Sequence, residues 1–60
     1  MNEFIKLHTL SSNSTAVINV KQIITAEKEE EGTHVYCTND NSIIVHESPE
    51  KIYSLIYESK

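Results

Sequence analysis

The chain has 60 residues, which allows one small domain, and we assign residues 1–60 to it. Five lysines, no arginine and nine acidic residues give a formal charge of −4. This balance argues against nucleic-acid binding, which needs basic side chains to displace counterions from phosphates. No apolar run exceeds three residues, so we expect no membrane span. We also expect no signal peptide, because Glu3 lies where a basic residue is needed and Lys6 and His8 break the apolar stretch. Cys37 is the only cysteine and has no disulfide partner, which favours the cytoplasm.

Short β-branched and apolar runs separated by polar turns predict five antiparallel strands. A short break, one helical turn in length, is expected at residues 21–22 between the second and third strands. Polar turns rich in serine and asparagine are expected at 11–14 and 39–41, and Gly32 suggests a hairpin loop with a positive φ. The predicted strands cover residues 4–10, 15–20, 23–30, 33–38 and 42–47.

The apolar period changes after the fifth strand and predicts one C-terminal helix. Ser48 is suited to the N-cap, Pro49 to the first helical position and Glu50 to the positive end of the helix dipole. An apolar stripe flanked by two tyrosines follows, formed by Ile52, Tyr53, Leu55, Ile56 and Tyr57. Because so short a helix is marginal alone, the stripe must lie on the sheet. The fold class is therefore α+β, a small antiparallel meander of about five strands with one C-terminal helix.

The residues that commonly carry chemistry are scattered. His8, His34, Cys37 and His46 fall on three predicted strands, without the short paired spacing of zinc ligands. His34 and Cys37 are three residues apart and point to opposite faces of a strand. The consecutive acids at 29–31 form a solvated rim rather than a catalytic carboxylate pair. We therefore expect no enzyme activity, no metal site and no cofactor.

Surfaces remain as the functional candidates. On the first strand Ile5, Leu7 and Thr9 share one face. The opposite face, with neighbours such as Ile18, Val20 and Ile44, is expected to need covering. A homo-oligomer would cover it; alternatively the strands curl into a partly closed barrel within one chain. Tyrosine is common at interfaces, although both helical tyrosines can instead flank the core. The candidate interaction residues are Phe4, His8, Leu10, Tyr53 and Tyr57.

Four short segments resemble a known family. They are residues 4–7 (FIKL), 17–19 (VIN) followed by 23–24 (II), 38–39 (TN) and 44–50 (IVHESPE). Together they are similar to the FlbD-type family of small flagellar and swarming motility proteins. The chain departs from that pattern where residues 11–14 and Asn41 replace glycines, and asparagine tolerates the same positive φ.

The resemblance implies an interaction role near a flagellar motor and carries no active site with it. The ending at residues 45–53 is also similar to CsrA-type RNA-binding regulators, whose basic strands and arginine this chain lacks. A phage or mobile-element protein that modulates a host protein is a further alternative. We expect a non-enzymatic protein-interaction module that self-associates, with an unidentified protein partner.

Overall fold

A computed structural model describes residues 3–58. Five antiparallel strands precede a single C-terminal helix within these residues, so the predicted α+β class is confirmed. A 3₁₀ turn at Val20–Gln22 occupies the predicted break after the second strand. The elements are β1 (Phe4–His8), β2 (Thr15–Asn19), β3 (Ile23–Glu29), β4 (Gly32–Cys37), β5 (Ser42–Val45) and α1 (Pro49–Glu58).

The strands form two sheets rather than one continuous meander. One sheet pairs β1 with β2, and the other has the order β3-β4-β5. Thr9 bridges Val45 where the sheets meet, and the amide of Leu10 donates to the Ile44 carbonyl at 2.9 Å. The end of β1 therefore runs beside β5, which gives the spatial order β2-β1-β5-β4-β3. Strands β2 and β3 lie at its two edges.

The core lies between the two sheets and the helix. Its members are at most 4% exposed and come from β1, β4, β5 and α1; they are Ile5, Leu7, Val35, Val45 and Ile52. The prediction that Ile18 and Val20 share the outer face with Phe4 is wrong. Ile18 pairs with Ile5, and both Ile18 and Val20 pack against the core. The arrangement is closer to the partly closed barrel, because both sheets contribute to one core.

Gly32 has a different role from the one its sequence position suggests. The hairpin loop consists of Glu30 and Glu31, while Gly32 begins β4 and has no positive φ. A Cβ atom at Gly32 would lie 2.5 Å from the Val45 carbonyl oxygen, closer than any real contact allows. Glycine is therefore needed here because the backbone of β5 passes close by.

The polar turns agree with the sequence in position but not in every residue. Asn39 and Asp40 adopt φ values of 63° and 61°, and Asn13 has a φ of 56°. Asn41, where the resemblance suggested a glycine-like conformation, has no positive φ. Asparagine and aspartate are the side chains best suited to this left-handed region, because they bond locally to the backbone.

The helix begins as predicted. The Ser48 hydroxyl oxygen accepts the amide of Lys51 at 3.1 Å, and the Ser48 carbonyl accepts the amide of Ile52 at 2.9 Å. These bonds satisfy amides that have no partner within the helix. The cap fixes where α1 starts, and so places Ile52 in the core.

Candidate interaction surfaces

The outer face of the β1–β2 hairpin exposes two large apolar side chains. Phe4 is 51% exposed and Val17 is 60% exposed. Phe4 pairs with Asn19 and Lys6 pairs with Val17, so Phe4 and Val17 are diagonal neighbours on the same face. We call this pair the hairpin patch.

Strand β2 has an open edge beside the hairpin patch. The amide of Thr9 donates to the Ser14 carbonyl at 2.8 Å, and that of Val20 donates to the Glu3 carbonyl at 2.9 Å. Hydrogen-bonded and non-hydrogen-bonded pairs alternate in an antiparallel ladder. Residues 16 and 18 therefore bond to β1, whereas the backbone groups of residues 15, 17 and 19 point away from it. We call this outward side of Thr15–Asn19 the β2 edge.

A second surface is the groove between β3 and α1, which we call the β3–α1 groove. It has a volume of about 340 Å³. Ile24 lies on its rim and is 67% exposed because a β-bulge between Ile23 and Thr25 displaces it from the ladder. Tyr53, 70% exposed, forms the opposite wall. Among residues 3–58, no charged side chain lines the groove; its lining residues are Val20, Ile23, Ile24, Thr25, Ala26, Pro49, Ile52, Tyr53 and Ile56.

A second groove, open to solvent and about 600 Å³ in volume, lies where β1 ends beside β5, and we call it the β1–β5 groove. Leu10 and Ile44 provide apolar lining, and Glu31 and His34 provide polar lining. His34 stacks on Tyr36 with ring centroids 4.2 Å apart, and its Nδ1 lies 3.3 Å from a carboxylate oxygen of Glu29. These contacts orient the imidazole on the sheet surface.

His8 is held by a carboxylate rather than left free for a partner. The Glu47 carboxylate accepts the His8 amide at 2.9 Å and lies 2.6 Å from His8 Nδ1. Burial of the carboxyl group opposes its ionisation, but these hydrogen bonds outweigh that cost and hold the pKa of Glu47 below its ordinary value. The pair fastens the end of β1 to the segment that leads into α1.

The five sequence-predicted interaction residues are distributed over three surfaces. Phe4 belongs to the hairpin patch, and His8 lies on the same face but is paired with Glu47. Leu10 is half-buried in the β1–β5 groove. Tyr53 and Tyr57 are both exposed on α1 and stack with ring centroids 6.5 Å apart, but only Tyr53 lines the β3–α1 groove.

The histidines and the cysteine do not come together. His34 lies on the outer face of β4, whereas Cys37 is half-buried at the end of that strand, where its amide donates to the Asn41 carbonyl at 2.7 Å. His46 follows β5 beside the opposite end of the β4–β5 ladder. Among residues 3–58 no group of three or more His, Cys, Asp or Glu side chains is arranged to hold a metal ion.

Two surface residues were not singled out from the sequence. Val17 alternates with Ala16 and Ile18, and this period of two already places it opposite the core-facing pair. Ile24 offered no such signal. Its exposure depends on the bulge in β3. Ile23 and Ile24 are adjacent and identical, so the sequence does not show which of them the bulge turns towards solvent.

The fold and its surfaces define a small two-sheet α+β domain with apolar grooves and open sheet edges. The chain belongs to the FlbD family of flagellar and swarming motility proteins, whose family model matches residues 4–60. It is therefore a small protein related to flagellar motility. No curated protein and no solved structure matches it. Within the described part of the chain, no helix is long and apolar enough to cross a membrane.

Proposed function

We propose that the chain is a non-enzymatic protein-interaction module of the motility apparatus, and that it also associates with itself. The observation that carries the proposal is the β3–α1 groove. It brings the exposed side chains of Ile24 and Tyr53 together on one apolar surface, and a contiguous exposed apolar surface commonly marks an interaction site.

The groove favours one kind of occupant. The described residues that line it carry no charged side chain, so a charged segment would lose water without gaining an ion pair with them. An apolar, uncharged segment of another motility protein would instead add contacts to Ile24, Tyr53 and Ile56. Family membership supplies the context in which such a partner is found.

Self-association is supported by the size of the core. Across residues 3–58, which the structure describes, five side chains make up the buried apolar core, and domains this small commonly gain stability by oligomerisation. The single cysteine is consistent with a reducing compartment, so the proposal includes a cytoplasmic location.

The test is complementation of motility in a host strain that lacks the gene. Tyr53→Ser and Ile24→Ser remove apolar surface from the groove without touching the core, and we expect both to reduce the expansion of swimming and swarming colonies. Tyr57→Ser is the matched control, since Tyr57 has similar exposure on the same helix but lies outside the groove lining.

Abundance and circular dichroism of each variant separate loss of binding from loss of fold. Full motility with both groove variants at wild-type abundance would show that the groove is not the binding surface. Analytical ultracentrifugation over a wide concentration range tests self-association directly, and a constant monomer mass would contradict that part of the proposal.

A further inference from the structure

We infer that two copies of this chain associate through the β2 edge, with β2 pairing antiparallel to its own copy about a two-fold axis at Val17. The inference rests on the self-association proposed above and assigns it a surface and a register. Two-fold dimers are the commonest homo-oligomers. A strand at such an axis pairs antiparallel with its own copy, so its hydrogen-bonding groups and side chains must be complementary to themselves.

The backbone of β2 satisfies this condition. Thr15, Val17 and Asn19 direct their amides and carbonyls to the open side, as the hydrogen bonds at the two ends of the hairpin establish. Val17 is the middle residue of Thr15–Asn19. A two-fold axis there places Val17 opposite its own copy and Thr15 opposite Asn19 of the second copy. All three outward residues then exchange both of their hydrogen bonds.

The side chains of β2 also match themselves. The strand contains no charged residue, so the axis brings no like charges into opposition. On the outer face the two copies of Val17 meet, with each Phe4 diagonally beside them. Lys6 lies directly across from Val17 on β1, so it flanks the axis on the far side of each Val17 and away from the second copy. The contact between the two Val17 side chains removes apolar surface from water.

The other edge of the fold is protected against the same pairing. Strand β3 contains a bulge between Ile23 and Thr25 and carries Glu27, Lys28 and Glu29. Bulges and charged side chains are the features by which proteins prevent edge-to-edge pairing. β2 has neither, and its exposed valine is the residue type that favours strand pairing.

The first arm of the test measures mass by analytical ultracentrifugation. Val17→Lys places two ammonium groups at the axis, and we expect it to raise the dimer dissociation constant by about tenfold or more. Ser42→Lys is the matched control, because it adds the same charge to an exposed strand position of the other sheet. Circular dichroism of both variants checks that each is folded.

The second arm fixes the register by oxidative cross-linking in a Cys37→Ser background. Val17→Cys forms a disulfide dimer, since residues that face each other in a hydrogen-bonded pair lie about 5.5 Å apart between Cα atoms. Thr15→Cys and Asn19→Cys do not cross-link alone, because each is four residues from its own copy, about 13 Å. A mixture of these two variants does cross-link.

The outcomes distinguish this inference from the proposed function. If Val17→Lys dimerises like wild type, or if Thr15→Cys cross-links with its own copy, the inferred pairing of β2 about Val17 is wrong. Self-association through another surface would still stand. A wild-type protein that is monomeric at every concentration overturns the dimer altogether. The motility of the groove variants is measured separately, so the result for the β3–α1 groove does not depend on the result for the β2 edge.

Discussion

Glu47 fastens the end of β1 to the segment that precedes α1 by binding both the amide and the ring of His8. One carboxylate oxygen accepts the His8 amide at 2.9 Å, and the other lies 2.6 Å from His8 Nδ1. The Glu47 side chain is 11% exposed and that of His8 is 53% exposed. The contact joins residues 39 positions apart, so it stabilises tertiary structure rather than a local turn.

The depressed pKa of Glu47 predicts a specific loss of stability in acid. A carboxyl group with a lower pKa in the folded state stabilises the fold above its unfolded pKa, near the ordinary 4.5, and this stabilisation is lost as pH falls through the folded value. Glu47→Gln is expected to lower the free energy of unfolding by about 1 kcal/mol at neutral pH, and by less in acid. Urea denaturation across the acid range measures the difference.

Glu30→Gln is the control for this measurement, since Glu30 lies exposed in the β3–β4 turn. It removes one negative charge without removing a tertiary contact. If Glu47→Gln and Glu30→Gln show the same dependence of stability on pH, the carboxylate–His8 contact has no part in acid unfolding.

Gly32→Ala is expected to destabilise the protein by about 1–3 kcal/mol, because the added methyl group forces the backbones of β4 and β5 apart. Intrinsic strand preference predicts the opposite sign, since alanine loses less backbone entropy than glycine. The midpoint of urea denaturation decides between them. Ser42→Ala provides a comparison at an exposed strand position, and a neutral or stabilising Gly32→Ala would contradict the close approach to Val45.

Removal of the helix cap is expected to cost about 1 kcal/mol. Ser48→Ala leaves the Lys51 amide without the hydroxyl oxygen that accepts it. Ser54→Ala is the same substitution at an exposed position inside α1, where alanine is the better helix former, so we expect it to be neutral or slightly stabilising. Equal effects of the two substitutions on the free energy of unfolding would show that the cap does not form.

Docking of the helix on the sheets can be tested with two isoleucines. Ile52→Val removes one methylene group from a side chain that is 2% exposed, and it should lower the free energy of unfolding by about 1 kcal/mol. Ile24→Val removes the same group from a side chain that is 67% exposed and should have almost no effect. A negligible loss with Ile52→Val would mean that α1 does not pack on the core.

The sequence alone predicted most local structure, because local structure depends on neighbouring residues. Alternating apolar residues located the strands, and Ser48 and Pro49 located the start of the helix. The family was also recognisable, since its short segments are turns and caps that leave a direct mark on the residue order.

Tertiary structure decided how these elements meet and which surfaces they leave open. The expected meander folds as two sheets that meet where Thr9 bridges Val45, and this junction joins residues far apart in the chain. The same packing places Ile18 in the core, and a bulge places Ile24 in solvent. Periodicity states which residues share a face of one strand, but only the folded chain determines what lies against that face.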